Sequence, residues 1–103
     1  MNILDMKNSA EEACGLLKAL AHPHRLMIVC HLAEGEKAVG ELAGLLNLRD
    51  STVSQHLSLL RREGVVAMRR EGQTVWYSIK NKTARHIIEQ LYNAYCPGSR
   101  GKS

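Results

Sequence analysis

Phenylalanine is absent from the 103 residues and tryptophan occurs once, so no aromatic cluster can organise the core, which must be packed from Leu, Val and Ile. Proline occurs only at Pro23 and Pro97, leaving nearly the whole chain free of helix breakers. No apolar run is long enough to cross a bilayer, and Met1-Asn-Ile-Leu-Asp-Met6 has neither the basic start nor the apolar stretch of a secretory signal, so a cytoplasmic location is expected. The three cysteines, Cys14, Cys30 and Cys96, form no Cys-x-x-Cys, and no Gly-rich phosphate loop, Ser-His-Asp or Cys-His-Asn arrangement can be placed. No catalytic residue and no cofactor is expected; a thiol redox protein is the alternative of another class. With no internal repeat or low-complexity tract, residues 1–96 read as one domain and residues 97–103 as a disordered basic tail.

The chain is richest in information between Val39 and Val66. Apolar residues at 39, 42, 43, 45 and 46 bury one face of a two-turn helix, and Asn47-Leu48-Arg49 breaks it. Residues 51–62 then bury Val53, Leu57 and Leu60 at helical spacing and leave Ser51, Thr52, Ser54, Gln55 and Arg62 outward. Short hydrogen-bonding side chains near a helix start, with cations near its end, suit a helix that reads base edges in a major groove. An ordinary helical hairpin with a solvated polar face has the same spacing, and residues 63–79 separate the two. Glu63-Gly64 stops the helix, and β-prone residues 65–70 and 74–79 flank Glu71-Gly72-Gln73. A hairpin with Arg69 and Arg70 beside its tip can reach phosphates next to a groove-bound helix. The fold class is therefore mainly α with a small β-hairpin, a winged helix-turn-helix. The net charge of +4 is modest and counts because Arg61, Arg62, Arg69 and Arg70 fall in this part. The DNA-contact set is Arg49, Asp50, Ser51, Thr52, Ser54, Gln55, His56, Arg62, Arg69, Arg70 and Gln73.

The ends of the chain supply a partner surface. Ser9 can cap a first helix with a stripe of Ala13, Leu16, Leu17 and Leu20, ending near Ala21. Pro23 suits the first turn of the next helix, which Leu26, Ile28, Val29 and Leu32 fill to about Ala33. A last helix from about Lys82 to Tyr95 carries Ile87, Ile88, Leu91, Tyr92 and Tyr95. Both end helices could simply cover the core, but so short a chain has little core left to cover. Leu16, Leu17, Leu20, Ile88, Leu91, Tyr92 and Tyr95 are therefore assigned to a homodimer interface. Two-fold pairing sets two reading helices about one turn of DNA apart, so the expected partner is double-stranded DNA carrying an inverted repeat.

Ala19-Leu-Ala-His-Pro-His-Arg-Leu-Met-Ile28, Val39-Gly-Glu-Leu42, Ser51-Thr-Val-Ser-Gln-His-Leu57 and Leu60-Arg-Arg-Glu-Gly-Val65 together resemble the ArsR/SmtB winged-helix repressors over about residues 9 to 96. The resemblance implies dimerisation through the first and last helices. Ala38 and Arg49 stand where family members often have a serine before each helix of the motif, and an alanine N-cap costs around 1 kcal/mol. Asp50 could cap the reading helix instead, and a carboxylate there could accept from a cytosine amine.

The arsenic and cadmium sensors of that family place Cys-x-Cys in the helix corresponding to Val39–Leu46, and the zinc sensors pair Asp/His with His/Glu along the last helix. Here the first is missing and the second is reduced to His86 and Glu89, so no metal ligand set is assigned. His22 and His24 flank Pro23 as weak candidates, while His31 and His56 read as polar surface or local hydrogen-bonding residues. Cys30 in Ile28-Val-Cys30 and Cys96 in Leu91-Tyr-Asn-Ala-Tyr-Cys96 resemble the branch containing sulfide-sensing biofilm-growth repressors and haemolysin-activator proteins. That branch implies a redox-sensing pair on two helices that pack together. A disulfide needs α-carbons within about 7 Å, whereas a wider gap admits only a bridge with inserted sulfur. Attack requires thiolate, so a nearby cation is expected, with Arg25, His31 and Arg100 as candidates. Cys14 reads as a core or interface thiol. The function expected is a transcriptional repressor released when reactive sulfur or an oxidant bridges Cys30 and Cys96. Two alternatives keep the fold: Cys14, Cys30 and Cys96 as a trigonal site for arsenite or another thiophilic ion, and a constitutive anti-silencer with incidental cysteines.

Overall fold

The computed structural model describes residues 1–96; the expected tail at 97–103 lies outside the described residues. The order is α1 (Ile3–Leu20), α2 (Pro23–Leu32), β1 (Lys37–Ala38), α3 (Val39–Leu46), α4 (Asp50–Arg62), β2 (Val66–Glu71), β3 (Thr74–Ile79) and α5 (Lys82–Tyr95).

Helix α1 starts well before Ser9. The Asn2 side chain accepts from Leu4 N (2.9 Å) and Asp5 N (3.4 Å), and no breaker separates Asn2 from Ser9, so Ser9 lies inside the helix. In α2, Pro23 occupies the first turn and the His22 Nδ1 caps it by accepting from His24 N at 3.1 Å. The N-cap of α3 is Ala38, which offers no acceptor; the Glu41 carboxylate compensates in part by accepting from Ala38 N at 3.0 Å. Asp50 does not cap α4 as expected. Arg49 holds the N-cap position without a side-chain cap, and Asp50 is the first helical residue, where its charge favours the positive end of the helix.

Two left-handed residues set the turns around α4. Asn47 (φ 56°) closes α3, with Leu48 N donating to Ala43 O at 3.0 Å. Gly64 (φ 75°) closes α4, with Val65 N donating to Leu60 O at 2.9 Å, and turns the chain directly into β2. The hairpin pairs β2 with β3 from Val66↔Ile79 to Glu71↔Thr74 around the loop Gly72-Gln73, whose first residue takes φ 61°. β1 adds a third antiparallel strand, Lys37↔Tyr77 and Ala38↔Trp76, giving the order β1-β3-β2. The sequence predicts only a hairpin, since two residues are too few to show an alternating pattern.

The core is aliphatic. Ile28, Val29, Leu32, Leu42, Val53, Leu57, Leu60, Val65 and Val66 are fully buried, joined by Ala84 and Ile88 from α5 and Ala19 and Leu20 from α1. Truncating one such leucine to alanine costs roughly 2–5 kcal/mol. Leu20 (5% exposed) and Ile88 (4%) thus belong to the core of one chain, correcting their assignment to a dimer interface. Both lie on helical stripes wide enough to serve two faces, which spacing alone does not divide. Polar ties fix the helices: Arg25 donates to Ala19 O (2.7 Å) and Lys18 O (3.1 Å) at the end of α1, and Arg85 to Ala33 O (3.3 Å) after α2.

Candidate nucleic-acid interface and dithiol groove

Because Val53, Leu57 and Leu60 turn α4 toward the core, its opposite face is open: Arg49, Asp50, Ser51, Ser54 and Gln55 are exposed and Thr52 is half-buried. These side chains crowd the first turns, where a helix entering a major groove meets base edges. At the other end Arg61 and Arg62 are exposed, and only a loose 3.8 Å pair joins Arg62 to Glu63. His56 stands on a flank of α4 instead of its open face. Its half-buried ring lies 4.7 Å from that of His22 and 5.7 Å from that of His24, centroid to centroid. Burial foremost, then the charges of His22, Arg25 and His24, push its pKa below the ordinary imidazole value.

The two wing arginines part company. Arg70 is exposed on β2 with no ion pair among the described residues, and Gln73 is exposed at the tip. Arg69 is engaged on both sides. Its Nε and Nη2 donate to the Glu36 carboxylate at 2.8 and 2.9 Å, its Nη1 donates to Glu71 at 2.8 Å, and its guanidinium sits 6.0 Å from the Trp76 ring centroid. The hydrogen bond from Arg69 holds the Glu36 carboxyl below its usual pKa, and the two carboxylates raise that of Arg69. Arg69, expected as a phosphate contact, is thus held as a brace between the wing and the segment before β1. Glu36 lies far away in sequence and gives no local signal; the pairing of β1 with β3 brings it there.

Cys30 and Cys96 are both half-buried and both line an open groove of about 970 Å³ between α2 and α5, with Leu26, Met27, His31 and Tyr95 among its other walls. Burial raises the Cys30 pKa, and the negative charge of an ionised Cys96 nearby raises it further. The expected activating cation is not found among the described residues. Arg25 is spent on the carbonyls of α1, and His31 lies in the groove but 3.6 Å from Glu34. Arg100 falls outside the described residues. Cys14 is exposed on α1 and absent from the groove walls, so it is no core thiol and does not complete a three-thiolate site there.

Residues 22–67, which span α2, the helix-turn-helix and the start of the wing, match the family described as bacterial regulatory protein, arsR family. Across nearly its whole length the chain is 42% identical to the transcriptional activator HlyU of Vibrio cholerae, over 97% of this chain and 93% of that protein. The chain belongs to the ArsR family. It is a DNA-binding transcriptional regulator of that family, with a winged helix-turn-helix fold. Among solved structures, the transcriptional repressor BigR from Xylella fastidiosa superposes with a TM-score of 0.85 at 41% identity, covering 93% of this chain and 98% of that one. A homodimeric winged helix-turn-helix DNA-binding domain from Mycobacterium bovis superposes with a TM-score of 0.78 at 31% identity, covering 87% and 84%. No helix among the described residues of this ArsR-family chain is long and apolar enough to cross a membrane.

Proposed function

We propose that residues 1–96 act as a homodimeric, dithiol-switched regulator in the cytoplasm, which binds an inverted-repeat operator when reduced and leaves it when Cys30 and Cys96 are bridged. The observation that carries the switch is the meeting of these two thiols, from helices that pack together, in one open groove near enough for the charge on one to disfavour ionisation of the other. Dimerisation is supported by the homodimeric relative and by apolar residues left uncovered on α1 and α5. Release is proposed whether the bound state represses or activates; of the relatives, BigR is named a repressor and HlyU an activator.

With an organic trisulfide, R–S–S–S–R, the chemistry balances without another oxidant. One cysteine thiolate attacks the central sulfur and expels RS⁻. The second thiolate attacks that same sulfur and expels a second RS⁻. The products are Cys–S–S–S–Cys and two RSH, so the trisulfide is reduced while the two protein thiols are oxidised. A bridge of this kind ties α2 to α5 and changes the dimer scaffold on which the two α4 helices are mounted; it shifts DNA affinity only through the different stability of the two states.

The test is operator titration and intact mass of wild type, Cys30→Ser and Cys96→Ser before and after trisulfide. All three should bind alike when reduced. Wild type should lose operator occupancy in proportion to the fraction bridged, while each serine variant stays bound and Cys14→Ser still releases. Release that persists in the Cys30→Ser, Cys96→Ser double variant would falsify the switch and leave the DNA-binding module alone.

A further inference from the structure

The three imidazoles at the junction of α2 and α4 have no part in the thiol switch, and their chemistry is distinctive. His22 and His24 flank Pro23 at the start of α2, and His56 projects from the second turn of α4 to meet them. One nitrogen from each ring lies within 4.8 Å of the others, with ring centroids 5.3, 4.7 and 5.7 Å apart. We propose that His22, His24 and His56 form a three-histidine site for a borderline divalent transition cation such as Zn²⁺ or Co²⁺, with a fourth position left to water.

The donor set selects the ion. Three neutral nitrogens and no carboxylate disfavour Mg²⁺ and Ca²⁺, which want oxygen, and suit Zn²⁺, Co²⁺, Ni²⁺ or Cu²⁺. Zn–N bonds of about 2.05 Å in a tetrahedron set nitrogens about 3.3 Å apart, so closure from the present spacing asks a shift of roughly 1 Å at each ring tip. Small side-chain rotations supply that. Arg25, the neighbouring cation, is turned to the carbonyls of Lys18 and Ala19 at the negative end of α1. One cost is explicit: the His22 Nδ1 lone pair accepts from His24 N at 3.1 Å, so ligation through that atom exchanges a helix cap for a metal bond. An ion here would clamp the reading helix to the start of α2, outside the groove that both thiols line.

Co²⁺ is the probe, because its ligand-field bands report geometry and a sulfur-to-cobalt charge-transfer band reports thiolate. The full chain is titrated as reduced wild type and as the Cys14→Ser, Cys30→Ser, Cys96→Ser variant, each with and without His24→Asn. The thiol-free protein should take up one Co²⁺ per chain with tetrahedral bands and no charge-transfer band, and its melting temperature should rise with Co²⁺. His24→Asn should lower the affinity by more than about tenfold, since even groups outside the first shell cost that much, and should abolish the rise in melting temperature. The His24 ring fills no part of the core, so this variant keeps the fold, checked by circular dichroism; His56→Gln repeats the test from the other helix. Co²⁺ uptake that needs the cysteines, uptake indifferent to both histidine changes, or no saturable uptake would each overturn the assignment. None of these results depends on operator binding, so the site and the switch fail separately.

Discussion

The Cys30 thiol is held in its protonated form by two causes acting in the same direction, partial burial between α2 and α5 and the proximity of Cys96. A raised pKa means less thiolate at neutral pH than an ordinary cysteine has, which slows attack by Cys30 itself. The alkylation rate of Cys30 in the Cys14→Ser background should rise about tenfold per pH unit and bend only above the pH at which a free cysteine does, as followed by mass spectrometry. Cys96→Ser removes one cause and leaves the other, so the bend should move down while staying above that of free cysteine. A bend at or below the free-cysteine position in the parent would mean that a cation activates Cys30 after all. At this scale the sequence carries residue type but not company. The expectation of a thiol pair can be read from Cys30 and Cys96, whereas the spent Arg25 and the braced Arg69 cannot, because their partners are backbone carbonyls or a carboxylate brought in by strand pairing.

At the scale of elements, the proposed interface assigns direct readout to α4 and charge to the wing. Gln55 and Ser54 are exposed on the first turns of α4, so Gln55→Ala should narrow the affinity gap between operator and random DNA while leaving random-sequence binding nearly unchanged. Arg70→Ala should do the reverse. Loss of one phosphate contact weakens binding to every sequence and lowers the slope of log affinity against log salt by about one. Arg69→Ala should leave that slope unchanged, because two carboxylates already neutralise its guanidinium. Fluorescence anisotropy over a salt series separates the three, and a slope that falls equally for Arg69→Ala and Arg70→Ala would refute the brace. Helices α3, α4 and α5 are legible in the sequence because each carries a clear apolar period and a breaker or cap at one end: Asn47 after α3, Gly64 after α4 and Asn81 before α5. The start of α1 is not, because Ser9 and Asn2 are both competent caps and local sequence does not decide between them. β1 leaves no trace, since its two residues pair with β3 through backbone groups that every residue has.

For the molecule as a whole, the question is what covers the apolar surface that folding leaves open. On α1, Ile3 is 72% exposed and Leu17 53%; on α5, Leu91 is 37% and Tyr95 78% exposed. Such a set on two terminal helices is more than scattered surface apolarity, and a two-fold partner would bury it while placing two copies of α4 on one side. Leu91 sits where the consequences differ most between one chain and two. In a single chain it is partly in water, so Leu91→Asp leaves the aliphatic core of Ile28, Leu57 and Leu60 intact and the helical circular dichroism unchanged. In a dimer the new carboxylate would be buried without a partner, at a cost of several kcal/mol that enters once for each copy. Sedimentation should therefore show a folded monomer. Operator affinity should fall by several orders of magnitude, since one α4 reads one half-site and the binding energy of the second is lost. A Leu91→Asp protein that stays dimeric at wild-type concentrations would place the interface on another face. A monomer that keeps full operator affinity would remove the inverted repeat from the proposal and, with it, the route by which a bridge between α2 and α5 alters the spacing of the reading helices.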